Sequence, residues 1–110
     1  MLTFADMVEI NELFDTGKLV NKGSLDFALS SCRKTKDWIT QLAYLIRAIT
    51  LDHVFEEGNK RTAVAVILAY LKAHKKAYDL HKVDTIIITI IKKQIHDIAY
   101  IRRLLKNAIW

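Results

Sequence analysis

Residues 53–61 read HVFEEGNKR and gather, within nine positions, the residue types that phosphate chemistry needs. His53 closes one helical pattern, and Glu57, Gly58, Asn59, Lys60 and Arg61 open the next. The first turn of a helix presents N–H groups with no intrahelical partner and a partial positive charge. Such an end binds phosphate readily. Lys60 and Arg61 add two formal charges there, and Gly58 lets an anion come close to the backbone. The Glu57 carboxylate opposes a bare anion but suits one bridged to it by Mg²⁺, which takes oxygen ligands. An imidazole exchanges its proton near neutrality, so His53 is a candidate base for an attacking hydroxyl. Base, metal ligand and phosphate cradle are what phosphoryl-type transfer mainly requires. The plainer reading makes His53 a surface residue and Lys60 and Arg61 solvated charges. It leaves two cations uncompensated at the positive end of a helix dipole.

The elements around this loop read as helices. Phe4, Met7, Val8, Ile10, Leu13 and Phe14 put an apolar face on residues 3–14, and Thr16-Gly17 ends that helix. Residues 17–23 form a short basic segment, after which Ser24 can cap a second helix carrying Leu25, Phe27, Ala28 and Leu29. From Thr35 or Lys36 to about His53, the residues Trp38, Leu42, Leu45 and Ile49 share one face. Residues 54–58 break the pattern. A helix from about Asn59 through the following KRTAVAVILAYLKAHK is apolar all round in its middle, which predicts burial on every side. The isoleucine run in 83–94 has strand propensity, but it does not alternate and has no partner strand, so it reads as helix. Ile98, Ile101, Leu105 and Ile109 mark an amphipathic terminal helix with Arg102, Arg103 and Lys106 off its apolar face.

Composition agrees with an all-α domain. Three glycines and no proline cannot supply the turns of a sandwich or barrel. With 52% hydrophobic and 26% charged residues, the 110-residue chain is expected to form one domain, 1–110, around one core. The single cysteine, Cys32, excludes an intrachain disulfide and is expected to be a small packed residue, ahead of a reactive thiol. Asp6 and Glu9 interrupt the opening apolar residues, so no signal peptide is predicted. The run Thr62–Leu71 is too short to span a bilayer. The expectation is a cytoplasmic protein with no membrane partner. A net charge of +5 suits nucleotides or an acidic protein. The basic clusters at 33–36, 92–93 and 102–103 carry no nucleic-acid motif, which sets nucleic acid behind those partners.

The stretch HVFEEGNKRTA resembles the active-site loop of the Fic/Doc family, H-x-F-x-[DE]-G-N-x-R. His53, Phe55, Glu57, Gly58, Asn59 and Arg61 match every specified position, and the Asn-Lys-Arg-Thr-Ala run is the form of the Doc (death on curing) branch. GSLDFAL at 23–29 and AVAVILAYLKAHKKAYDL at 63–80 are similar to the segments flanking that loop, so the resemblance covers roughly residues 5–80. It implies a Fic fold of about six helices around a central buried helix. It implies His53 as the base that deprotonates a target hydroxyl, Phe55 as the loop's core anchor and Glu57 as the Mg²⁺ ligand. Gly58 and Asn59 would shape the anion hole and contact phosphate, while Lys60 and Arg61 would bind phosphate and offset transition-state charge. Lys18, Leu19, Val20 and Asn21 fall where the family has a flap that lines up a target segment by backbone pairing. A plain connecting loop is the equal alternative.

Two departures bear on the reaction. Fic enzymes that transfer AMP commonly have Gly after the Asn and a second Arg three residues past the first; this chain has Lys60 and Val64. Doc proteins share both departures and transfer the terminal phosphate. Val54 stands where many relatives have Pro, which changes loop stiffness. The family's self-inhibitory motif, [ST]-x-x-x-E-[GN], is missing: Glu9, Glu12, Glu56 and Glu57 follow Ala5, Val8, Asp52 and His53 at that spacing. A separate antitoxin protein is then the implied silencer. The resulting expectation is a Doc-like toxin transferase that uses Mg²⁺-ATP to phosphorylate a hydroxyl side chain of a protein, with a translation GTPase as first candidate. Nucleotidyl transfer (AMPylation) from the same site is the near alternative. A catalytically silent binding module and a basic nucleic-acid-binding protein are the alternatives from other classes.

Overall fold

The computed structural model describes residues 2–109; Met1 and Trp110, the ends of the expected 1–110 domain, lie outside the described residues. The described residues form six helices: α1 (Phe4–Glu12), α2 (Lys22–Cys32), α3 (Trp38–Leu51), α4 (Asn59–Ala73), α5 (Leu80–Lys93) and α6 (Ile98–Asn107). Among the described residues the extended pairing is limited to two isolated antiparallel bridges, Leu19 with Phe55 and Tyr78 with Ile109. None of the described helices is long and apolar enough to cross a membrane.

The helix at the centre is α3, not α4. It packs against α2, α4, α5 and α6, and Leu42, Ala43, Leu45, Ile46 and Ile49 are fully buried on it. The expected all-round burial of α4 does not occur. Ala63, Val66, Ile67 and Leu71 face α3 and the core, but Val64, Ala65, Leu68 and Ala69 are only half-buried. The reason lies in its neighbours: α1 and α5 each pack on α4 but do not touch one another, so α4 floors an open groove between them. Leu13 and Phe14, expected on the inner face of the first helix, fall past its end and stand exposed at that groove's edge.

Three helix starts differ from the sequence expectation, each for a hydrogen-bonding reason. Asn21, not Ser24, caps α2: its side chain accepts from the Ser24 N–H, so Lys22 and Gly23 are already helical. The third helix begins at Trp38 behind Asp37, whose side chain makes no cap hydrogen bond. It instead accepts from Arg102 Nε at 2.6 Å and Thr40 Oγ1 at 2.5 Å, which ties α3 to α6. Burial raises the Asp37 carboxyl's pKa, but these bonds outweigh it and the net displacement is downward. The isoleucine run is helical from Leu80, three residues earlier than its apolar pattern, because Asp79 accepts from the N–H groups of His81 and Lys82. Burial of Val83, Ile86, Ile87 and Ile90 on one face overrides the strand propensity of the β-branched residues.

Cys32 is fully buried, and its thiol donates to the Gln41 carbonyl at 3.4 Å. Burial pushes its pKa up to about 11, with Arg33 opposing only weakly. The thiolate, the reactive form, is therefore scarce at neutral pH. In the folded chain at pH 8, Cys32 should react with an aromatic disulfide reagent at least ~100-fold more slowly than in guanidinium-unfolded chain. Equal rates in the two states would place the thiol at the surface.

Candidate functional site

The loop from α3 to α4 is built from both sides of His53. Helix α3 ends at Leu51, Asp52 caps it, and His53 then takes a left-handed backbone conformation at φ 49°. A non-glycine residue holds that conformation only when its surroundings impose it. Asn21 imposes it here by bracketing the histidine: its side-chain amide donates to the Asp52 carbonyl at 3.0 Å, and its backbone N–H donates to the Val54 carbonyl at 3.2 Å. The Ser24 hydroxyl adds a short hydrogen bond to the Asp52 carboxylate.

Val54 and Phe55 then enter the core with no exposed surface. Leu19 lies opposite Phe55 in an antiparallel bridge. The bonds fall on the neighbouring residues, from Glu56 N–H to the Lys18 carbonyl and from Val20 N–H to the Val54 carbonyl, both 2.9 Å. In such a pair the N–H and C=O of both central residues point outward. The Asn59 side chain fills the Phe55 side, accepting from its N–H at 3.0 Å and donating to its carbonyl at 2.8 Å. On the other side, the N–H and C=O of Leu19 have no partner among the described residues.

Residue 58 favours glycine because its φ is 75°, and a Cβ there would also press on Asn11 Nδ2 at 3.2 Å. Asn11 is that close because it organises the turn. Its amide donates to the Glu57 carbonyl and to Thr62 Oγ1, both at 3.0 Å, and its oxygen accepts from the Gly17 N–H at 2.9 Å. Gly58 offers α4 no side-chain cap. The first N–H of that helix to find a partner is Thr62's, to the Gly58 carbonyl, so those of Asn59, Lys60 and Arg61 remain open.

His53, Glu57, Gly58, Asn59, Lys60 and Arg61 meet in one surface cleft of about 450 Å³. Among the described residues neither Lys60 nor Arg61 makes an ion pair or a hydrogen bond. The cleft thus joins open helix N–H groups to two uncommitted cations, with an imidazole at one side. Phe55 lies beneath it, as the loop's anchor. Asn59 lines the cleft too, while its side chain holds the Phe55 backbone at both ends. Lys18, Leu19, Val20 and Asn21 do not line the cleft; they brace the loop through its backbone. The Lys18–Glu56 ion pair there, 3.8 Å and exposed, contributes little.

Among the described residues no three His, Cys, Asp or Glu side chains form a metal cage. Mg²⁺ asks for less: one or two carboxylates, with phosphate oxygens and water completing the shell. Glu57 fits that role, because only its backbone carbonyl is engaged, and Asp15 supplies a second carboxylate on the cleft wall. Asp15 and the supporting Asn11 and Asp52 do not emerge from motif spacing, and Asn21 and Ser24 emerge only in other roles, as flap residue and helix cap. Asn11 leaves a trace: it interrupts the apolar stripe Phe4, Met7, Phe14 at helical spacing.

Replacing Asn11 by Ala strands the Glu57 carbonyl and the Thr62 hydroxyl together. Urea unfolding should show a loss of about 1–3 kcal/mol, the cost of leaving such groups unsatisfied. Lys22→Ala, which removes an exposed ion pair with Asp26 and a cation–π contact with the Phe4 ring, should stay within about 1 kcal/mol of the parent. Similar losses in both variants would deny Asn11 its organising role. Compared with known proteins, the chain matches no family model, no curated protein and no solved structure.

Proposed function

We propose that the protein is a Mg²⁺-ATP-dependent phosphotransferase of the Fic/Doc type, acting on a hydroxyl side chain of another protein. The observation that carries this reading is the pairing of Lys60 and Arg61, without partners, with the uncapped end of α4 beside His53. A helix end of this kind suits a polyphosphate. An imidazole at its edge suits removal of a hydroxyl proton.

In the proposed step the target oxygen bonds to the γ-phosphorus and the bond from that phosphorus to the β,γ-bridging oxygen breaks. The hydroxyl proton passes to the His53 imidazole, and ADP leaves. Lys60, Arg61 and the open N–H groups of α4 bind the phosphates and offset the charge that moves onto the bridging oxygen. Glu57, with Asp15 near it, would hold Mg²⁺, which supplies charge neutralisation of the phosphate oxygens. The free N–H and C=O of Leu19 suit a target segment laid beside the loop as an added strand. In keeping with the Doc resemblance, the target would be a protein such as a translation GTPase, and a separate antitoxin protein would silence the enzyme.

Intact mass of candidate targets after incubation with Mg²⁺-ATP tests the reaction. The parent chain should add about 80 Da, one phosphate, and His53→Ala should add nothing. A gain of about 329 Da would overturn phosphoryl in favour of nucleotidyl transfer at the same hydroxyl. Equal labelling by the His53→Ala variant would remove the histidine from the chemistry. Leu19→Pro deletes an N–H with no internal partner, along with part of a half-buried side chain packed on the core; it should reduce target labelling at least ~10-fold and spare ATP binding. Val20→Pro is not an equivalent probe, because the Val20 N–H holds the Val54 carbonyl.

A further inference from the structure

Five helix ends meet at the end of the bundle away from the cleft. The rings of Trp38 and His74 stack at 4.2 Å, which sets the start of α3 against the end of α4. Gln41 on α3 donates to the Cys32 and Thr35 carbonyls, at 3.3 and 2.9 Å, and so draws in the end of α2. Arg102 on α6 reaches Asp37 at 2.6 Å, and the bridge between Tyr78 and Ile109 holds the approach to α5 against the end of α6. Helix α4 is 15 residues long, so this end stands about 22 Å from the open N–H groups of the cleft. Segments 33–38, 72–79 and 102–109, which form it, hold nine of the chain's 17 Lys and Arg and two of its 12 acids. The rest of the chain, with eight cations and ten acids, is net negative, so the whole positive excess belongs to this end. Both of its acids are committed, Asp37 to Arg102 and Thr40, and Asp79 to the N–H groups of His81 and Lys82.

We propose that this end is a docking surface for single-stranded RNA. Helix dipoles account for part of the charge, because Lys72 and Lys106 lie in the last turns of α4 and α6, where cations are favoured. They do not account for Lys36, which precedes the positive end of α3, nor for Lys34, Lys75 and Lys76, which lie beyond the helices. These four are exposed, and among the described residues their side chains make no ion pair or hydrogen bond. Cations without acids to pair them suit the phosphates of a strand. Exposed rings stand among them: Tyr78 follows Lys75 and Lys76, and His74 lies stacked on Trp38. Unpaired bases stack on such rings. An acidic protein segment would use the cations and leave the rings idle, and a duplex would hide the faces of its bases. An unpaired strand is the ordinary state of much RNA and an exceptional one of DNA, which selects RNA. The clusters at 33–36 and 102–103 carry no motif as sequence; the pairing of Asp37 with Arg102 joins them into one surface. The surface stands apart from the proposed phosphotransfer site, whose residues lie at the other end of α4.

Fluorescence anisotropy of a labelled oligouridine of about 12 nucleotides, titrated across a salt series, tests the surface. For the parent chain, log Kd should climb with log salt at a slope of about 0.7 for each phosphate held. The double variant Lys75→Gln, Lys76→Gln should lower that slope by about 1.4, and Lys34→Gln with Lys36→Gln by a similar amount. Lys92→Gln with Lys93→Gln removes the same charge from exposed residues at the opposite end of α5 and should leave the slope unchanged. Tyr78→Leu should weaken binding about tenfold at constant slope, within the range of one base–aromatic stack. No binding at low salt, or an equal loss in the variant at 92 and 93, overturns the surface. Unchanged affinity in Tyr78→Leu, or equal affinity for an RNA duplex, overturns the unpaired strand. Displacement of the strand by polyglutamate at matched charge assigns the face to an acidic protein and overturns the RNA reading.

Discussion

Burying Phe55 in an irregular loop is the constraint from which the rest of this site follows. A helix satisfies its own backbone, but residues 53–58 are not helical, and Val54 and Phe55 lie fully inside the core. Buried N–H and C=O groups need partners. The partners come from three parts of the chain: Val20 and Asn21 for the Val54 carbonyl and Lys18 for Glu56, Asn59 for Phe55, and Asn11 for Glu57. Hydrogen bonding thereby fastens α1, the 18–21 segment and α4 to a single loop.

The same bonding divides labour among polar residues that look alike in sequence. Asn11, Asn21 and Asn59 are all amides near the cleft, and all three use their side chains on the loop's backbone. Lys60 and Arg61 have no such duty. The groups left over for a ligand are therefore charged and positive, beside the backbone N–H groups of an uncapped helix. A site in which shape is held by amides and attraction comes from cations suits a polyphosphate, the class of ligand proposed for it. The unsatisfied backbone of Leu19 follows from the same geometry: in a two-residue bridge one outward edge is covered by Asn59, and the other faces solvent.

The open face of α4 is the second consequence of how the helices are arranged. Because α1 and α5 flank α4 without meeting, Val64, Ala65 and Leu68 floor a groove where an apolar stripe would otherwise be sealed. That groove meets the cleft at Phe14, Lys60 and Arg61, so an apolar space and an anion site share one wall. Sequence position alone separates Asp84 from Lys60 by more than six helical turns; packing of α5 on α4 brings them to the same hollow.

Local sequence pattern determined by itself that about six helices would form, since side-chain spacing is a local property; the isoleucine-rich α5 was legible by elimination, because its residues do not alternate and no partner strand exists for them. The residues of the 53–61 motif were legible for the same reason: chemistry crowded into nine positions declares itself without a fold. Helix starts were less legible, because Asn21, Ser24 and Asp37 can all cap, and the choice rests on distant partners such as Asp52 and Arg102. Which helix lies at the centre was decided only in three dimensions. An all-apolar stretch says that α4 seeks cover, but whether α1 and α5 close over it depends on their lengths and packing. The supports of the loop belong to the same class. Asn11 and Asn21 act on residues more than thirty positions away, and a hydrogen bond across that separation leaves no periodic mark in the chain, because only the packed helices bring its two ends together.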